Sequence, residues 1–285
     1  MTRTSTAEIP VRHFPSWEDR PIQRDLVDGD PVMSHVVAVL SAMFPNGEDF
    51  FVRSVRHYRD DVDDPELAGK VKQFVGQESN HRRAHRELNE RLEDLGYKTR
   101  VVDRAVGIGF KQLAAKVLPP QVQLAVTAAL EHYTATLAEV LLEDPEAQSL
   151  FEDEQIRRLL LWHALEESEH KAVAFDVYEA VAGNYLLRRA VMDATTAVFV
   201  GGLIAGTAYS AVSNASPGDV FGLARGLLRL PRSPFVSRSV LKRLRLYNRF
   251  GFHPGLFDSG PLIDAWRTRL FDTGEPGQYD PAPPV

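Results

Sequence analysis

The sequence predicts an all-α protein in which four long helices over residues 31–183 are followed by additional C-terminal helices. Three observations carry that expectation. Apolar residues recur in alternating steps of four and three, Asp-Pro and Gly breakers stand at the ends of those stretches, and alternating strand-like patterns are almost absent. At 285 residues and 44% hydrophobic, the chain is long enough to bury a sizeable core.

The elements follow in order. Residues 1–30 read as an N-terminal extension, with Pro10, Pro15 and Pro21 among many charges and no apolar run of the secretory-signal type. Asp30-Pro31 starts the first helix, Pro45-Asn46-Gly47 is expected to interrupt it, and a second piece resumes to about Arg59. Asp64-Pro65 starts the second helix, which Gly96 stops. Its seam reads Leu67, Val71, Phe74, Glu78, His81, His85, Leu88, Leu92, Leu95, with three polar residues in the middle.

A longer connection over 97–119 leads to Pro119-Pro120 and a third helix through about Glu143. The fourth helix starts near Asp153 and ends at Gly183-Asn184, with the seam Ile156, Leu160, His163, Glu167, His170, Ala174, Val177, Val181. Residues 184–260 are expected to be helical and packed on the first four helices, and 261–285 to be a largely irregular tail.

Composition narrows the chemistry. The absence of cysteine excludes disulfides, cysteine-ligated metals and thiol nucleophiles. A net charge of −6 argues against a basic nucleic-acid binder. Gly107-Ile108-Gly109 lacks the third glycine of a dinucleotide loop, Gly69-Lys70 has Asp64 where a phosphate loop needs glycine, and no Gly-x-Ser-x-Gly elbow occurs. Nucleotide binding and serine hydrolysis are therefore unsupported, and the expected partner is a small-molecule substrate.

Burying a carboxylate or imidazole costs several kcal/mol unless it is paired or metal-bound, so six titratable residues in two apolar seams call for a shared explanation. Glu78-x-x-His81 and Glu167-x-x-His170 each put a carboxylate and an imidazole one turn apart on one helix face. With 9 His and 19 Glu among 285 residues, chance alone accounts for about 0.6 such motifs. What sets these two apart is their place in buried seams and the lone inward carboxylate on the helix before each: Glu48, beside Phe51, Val52 and Val55, and Glu131, beside Leu124, Ala138 and Leu141.

In chain order, Glu, Glu-x-x-His, Glu, Glu-x-x-His resembles the ferritin-like di-iron carboxylate proteins, including the longer crossover between the second and third helices. More narrowly, Phe44-Pro45-Asn46-Gly47-Glu48, Gln77-Glu78 to His81, Glu131-His132-Tyr133-Thr134, Trp162-His163 through Glu166 to Lys171, and Phe252-His253-Pro254-Gly255 resemble a bacterial family labelled predicted metal-dependent hydrolases, over roughly residues 10–260. The resemblance implies a ferritin-like four-helix bundle, and it makes Glu48, Glu78, His81, Glu131, Glu167 and His170 the ligands of two metal ions, with Glu78 and Glu131 able to bridge. His85 and His163 depart from the minimal pattern, as extra ligands or as hydrogen-bond partners of ligands. His132 is expected to pack or hydrogen-bond, and Glu166 and Glu169 to be solvated or to support a ligand.

Mixed carboxylate and imidazole ligation suits iron, with manganese as the alternative, so the expected activity is oxygen activation for oxidation of an organic, lipid-like substrate. The alternatives are hydrolysis through a metal-activated water and ferritin-like metal storage. Two further features bear on partners. The run from Ala194 to Gly218 is uncharged, apolar up to Val212 and spaced for close helix packing, which suits a homodimer over 194–212, a buried helix or a membrane segment. Residues 220–249 carry eight Lys or Arg and no acid, which suits peripheral contact with an anionic membrane, the alternative being pairing with the acidic helices that carry Glu87, Glu90, Glu93, Glu139, Glu143 and Glu146. The expected compartment is the cytoplasm or its membrane face.

Overall fold

In the computed structural model, which describes residues 9–15, 17–18, 20–27, 29–214 and 220–271, every regular element is helical. The helices are α1 Pro31–Arg56, α2 Pro65–Asp94, α3 Thr99–Gly107, a π-helix at Ile108–Ala114, α4 Ala115–Val117, α5 Pro120–Glu143, α6 Pro145–Ser149, α7 Glu154–His170, α8 Val173–Val181, α9 Tyr185–Asn214, α10 Val220–Arg229, α11 Arg238–Leu246 and α12 Gly260–Phe271. Helix α1 packs along α2, α5 along α7, and the two pairs meet through α1 with α5 and α2 with α7. Asp30, Asp64 and Asp153 cap α1, α2 and α7 by accepting from backbone N–H groups of the first turn, as their positions before the apolar seams require.

Four expectations are corrected. Helix α1 runs unbroken through Pro45. Proline removes the N–H that would bond the Ser41 carbonyl one turn back; here the Asn89 side chain of α2 donates to that carbonyl at 3.1 Å, so the helix continues without an orphaned acceptor. Asn46 donates to the backbone and side chain of Asp103, which holds α3 against the same turn. The 97–119 connection is itself mostly helical, with Thr99 donating to the Asn89 carbonyl and Val102 packing with Val39 and Ala42.

The fourth helix breaks after His170, and α8 carries Ala174 and Val177 into the core beyond the break. At the break the Lys171 ammonium leaves for Glu139, Ser259 and the Phe257 carbonyl. Lastly, the segment expected to be an irregular tail begins with α12, because Trp266 is buried and donates to the Leu142 carbonyl while Arg267 pairs with Glu169. The Pro-rich end after Gly274 lies outside the described residues.

The N-terminal extension lies against the helices: Phe14 packs with Trp17 and Trp162, and Ile9, Leu26 and Val27 are buried. Two apolar clusters, one around Leu88, Leu92, Leu159 and Trp162 and the other around Phe50, Phe74, Leu124 and Val177, hold four helices in register. The polar seam residues sit at the level where these clusters meet.

Candidate metal centre

Four helices deliver the polar residues. Glu48 comes from α1, Glu78 and His81 from α2, Glu131 from α5, and Glu167 and His170 from α7. The three-residue spacing puts each Glu–His pair one turn apart on the inward face, and none of the six is more than 4% exposed. The sequence-predicted set is thus brought together.

The donor atoms converge on two groups. Glu48, His81 and His163 form one, and Glu78, Glu167 and His170 the other, with the donor atoms of each group within 4.8 Å of one another. His170 Nε2 lies 3.1 Å from Glu78, 3.4 Å from Glu131 and 3.7 Å from Glu167. His81 Nδ1 lies 3.7 Å from Glu167 and 3.9 Å from Glu78. Glu78 and Glu167 therefore face both histidines, whereas Glu131 faces His170. Glu78 and Glu167 lie between the two groups, and Glu131 lies beside His170 of the second.

Hydrogen bonding separates the atoms aimed inward from those that support them. Both oxygens of Glu48, Glu78 and Glu131, Oε2 of Glu167, Nδ1 of His81 and Nε2 of His170 are buried without a well-aligned hydrogen bond, and those that have close polar neighbours have one another. Such groups cost free energy in an apolar core unless something charged sits among them. The opposite ring nitrogens are satisfied reciprocally. His81 Nε2 bonds Glu166 Oε2 at 3.0 Å, and His170 Nδ1 bonds Gln77 Oε1 at 2.8 Å. Each helix thus uses the residue just before its own seam glutamate to hold the histidine of the other, which orients one free nitrogen of each ring toward the carboxylates.

His163 and His85 behave differently. His163 bonds Glu167 Oε1 through Nε2 at 2.9 Å and His85 Nε2 through Nδ1 at 2.6 Å, and His85 Nδ1 bonds Ser41 Oγ at 2.9 Å. His163 stands beside Glu48 in the first group. His85 belongs to neither group and instead holds His163, so of the two readings for it the supporting one agrees with its position. His132 bonds the Arg243 carbonyl and packs on Tyr247 and Phe252, away from the centre.

Glu166 and Glu169, expected to flank the seam in water or in support of a ligand, are both deeply buried. Arg12 of the extension donates to both, at 3.3 Å to Glu166 and 2.9 Å to Glu169, and Gln77 and Arg267 complete the partners of Glu169. The sequence motif that contains Gln77 assigns it no role, and Arg12 belongs to no motif. The far nitrogen of an inward histidine needs a partner, which is a signal for Gln77 beside Glu78; nothing in the sequence ties Arg12 to a helix 154 residues away.

Burial and mutual repulsion set the charges. Burial, then the neighbouring carboxylates, push Glu48 well above the ordinary carboxyl value, and burial raises Glu78. Burial and Glu167 raise Glu131 to about 8. Burial, only partly offset by Arg12, raises Glu166. Burial would also raise Glu167, but His170 and His163 outweigh it and hold it low; burial would lower His170, but Glu167, Glu131 and Glu78 outweigh it and hold it high. Burial, then His163, depresses His81 and His85. Without a cation, burial and mutual repulsion thus favour the neutral forms of Glu48, Glu78 and Glu131, while Glu167 and His170 favour each other's charged form. Two divalent cations would balance Glu48, Glu78, Glu131 and Glu167 as carboxylates, and the inward donors, all oxygen or imidazole nitrogen, suit such ions. Phe74 against His170, Trp162 against His81, and Phe44 against His85 and His163 wall the centre with rings.

Fold and site together define an all-helical protein with a buried candidate metal centre. The sequence profile of the family described as predicted metal-dependent hydrolase matches residues 11–258, and the chain belongs to that family. Searches of curated proteins and of solved structures give no match.

Proposed function

We propose that this protein is a dinuclear metal-dependent hydrolase with Glu48, Glu78, His81, Glu131, Glu167 and His170 as its ligands, and with α1, α2, α5 and α7 as a ferritin-like four-helix bundle. The observation that carries the reading is the set of buried carboxylate and imidazole atoms, lacking well-aligned hydrogen bonds, that converges from four helices; the family description supports hydrolysis over the oxygen activation expected from sequence. When bound, two divalent cations supply an acidified water and positive charge for a tetrahedral or phosphoryl transition state.

The chain's own residues prepare that chemistry. Glu166 faces His81 Nε2 and Gln77 Oε1 faces His170 Nδ1, so with cations bound these acceptors would favour the tautomers whose lone pairs point inward. His163, held by His85 through Nδ1, presents Nε2 to Glu167 beside Glu48 and so orients the Glu167 carboxylate. Phe44, Phe74 and Trp162 keep bulk water from the centre and strengthen every charge interaction inside it.

The test is a metal-free preparation reloaded with zinc, manganese or ferrous iron and assayed on carboxylic and phosphoric ester panels. Metal-restored hydrolysis that Glu167→Ala abolishes supports the reading. Oxygen activation is the second reading, favoured by the mixed carboxylate–imidazole donor set. A transient visible band when the ferrous protein meets oxygen, without ester hydrolysis, would replace the first reading with the second.

A further inference from the structure

The C-terminal helices carry an inverted pattern that the metal centre does not use. Helix α10 lies on the N-terminal end of α1 with its glycines inward: a Cβ at Gly226 would fall 2.7 Å from Asp30 Oδ1 and from Val32 Cγ2, and one at Gly222 3.4 Å from Pro31 Cγ. Three of its large apolar side chains point the other way, with Phe221 83%, Leu227 61% and Leu228 73% exposed, and Leu223 is half-buried. A helix at the surface of a soluble protein normally does the reverse.

Helix α9 repeats the arrangement next to it. It packs on the same half of α1, through Ser210 hydrogen-bonded to His35 and through Gly206, whose Cβ position lies 3.0 Å from Val39. Val198, Ile204 and Val212 on its other side are 77%, 65% and 75% exposed. The helix is long and apolar enough to cross a membrane, but its bonds to α1 and α5, including Tyr133 to Thr196, commit one side of it to protein. An in-plane, peripheral arrangement satisfies both sides.

Charge identifies what covers this face. From 220 to 257 there is no Asp or Glu, and Arg225, Arg229, Arg232, Arg238, Lys242 and Arg245 are exposed. Among the described residues Arg243 is the one Lys or Arg of this block in an ion pair, with Glu139 and Glu143; the other carboxylate contacts are His253 with Asp176 and Asn248 with Asp193. A second copy docked about a two-fold axis would set this cationic face against itself, with no acid from the block to meet it. An anionic lipid surface offers hydrocarbon for the phenylalanine and leucines and phosphate for the arginines. We propose that α10, with the outer side of α9 and the cations that follow, docks this protein on an anionic membrane surface.

The experiment is co-sedimentation with phosphatidylcholine vesicles, with and without phosphatidylserine, at low and high salt. The expected result is binding that requires phosphatidylserine and weakens with salt. Leu228→Glu should reduce the partition coefficient at least about tenfold, and Arg225→Gln with Arg232→Gln by roughly fivefold per residue. All three side chains are exposed, and Leu228→Ala provides a milder variant in which the helix is kept. Protein that stays in the supernatant with phosphatidylserine vesicles at low salt overturns the proposal, as does parental binding by Leu228→Glu. A dimer that Leu228→Glu dissociates, without vesicle binding, overturns it in favour of a second copy. Metal content is unchanged in these variants, so this outcome is independent of the hydrolase reading.

Discussion

The centre between α1, α2, α5 and α7 and the outer side of α9 and α10 break the same rule in opposite directions. In the first, carboxylates and imidazoles are buried with little but one another to face; in the second, Phe221, Leu227 and Leu228 are left in water while Gly226 is buried. Each is unfavourable as the isolated chain stands, and each would become favourable with the occupant proposed for it: cations inside, lipid outside. Elsewhere at the centre, bonds such as Glu166 to His81 and Gln77 to His170 are satisfied, which makes the exceptions selective.

The comparison breaks most readily at Arg12. Removing this guanidinium leaves Glu166 and Glu169 short of a buried counter-charge, and Arg12→Ala should cost about 3 kcal/mol in chemical denaturation. A cost below about 1 kcal/mol would mean that the extension does not support the centre.

Acidity should separate the metal-free and metal-loaded states. A carboxyl held above its unfolded value takes up a proton on folding, so the stability it lends is whole below its ordinary value of 4.5 and lost as pH climbs through about 8 for Glu131. His81 and His85, held low, act oppositely and weaken the fold as pH falls below 6.5. In chelator the melting temperature should therefore drop by roughly 5 °C between pH 6.5 and 8. With metal bound it should hold or rise, because cations displace those protons. Parallel melting curves would contradict the charge assignment.

Two smaller effects sharpen the contrast. Gln77→Leu removes the acceptor of His170 Nδ1 and should weaken metal affinity about tenfold in a chelator competition, with little change in secondary structure. Leu228→Ser, without vesicles, should change folding stability by less than about 0.5 kcal/mol, since that side chain touches water already.

Much of the helical layout was legible because its causes are local. Asp30, Asp64 and Asp153 cap the helices they precede, and the four-three seams place Glu78, His81, Glu167 and His170 inward. What was not legible depends on distant partners. The break expected at Pro45 is absent because Asn89, on another helix, satisfies the freed Ser41 carbonyl. The division of roles between His163 and His85 depends on Ser41, and the burial of Glu166 and Glu169 on Arg12; neither partner lies near in sequence. Likewise, the hydropathy of α9 marks the helix as apolar, and only packing shows which of its sides faces protein.

Metal stoichiometry tests the central claim most directly. Protein purified from metal-supplemented growth, and metal-free protein reloaded with excess cation, should hold about two metal ions per chain by elemental analysis. Glu167→Ala and His170→Ala should hold one or none, while Glu90→Ala, an exposed carboxylate on the same α2 as Glu78, should match the parent. Equal metal in Glu167→Ala and the parent, or no uptake by a folded parent, would contradict the assignment of these residues as ligands.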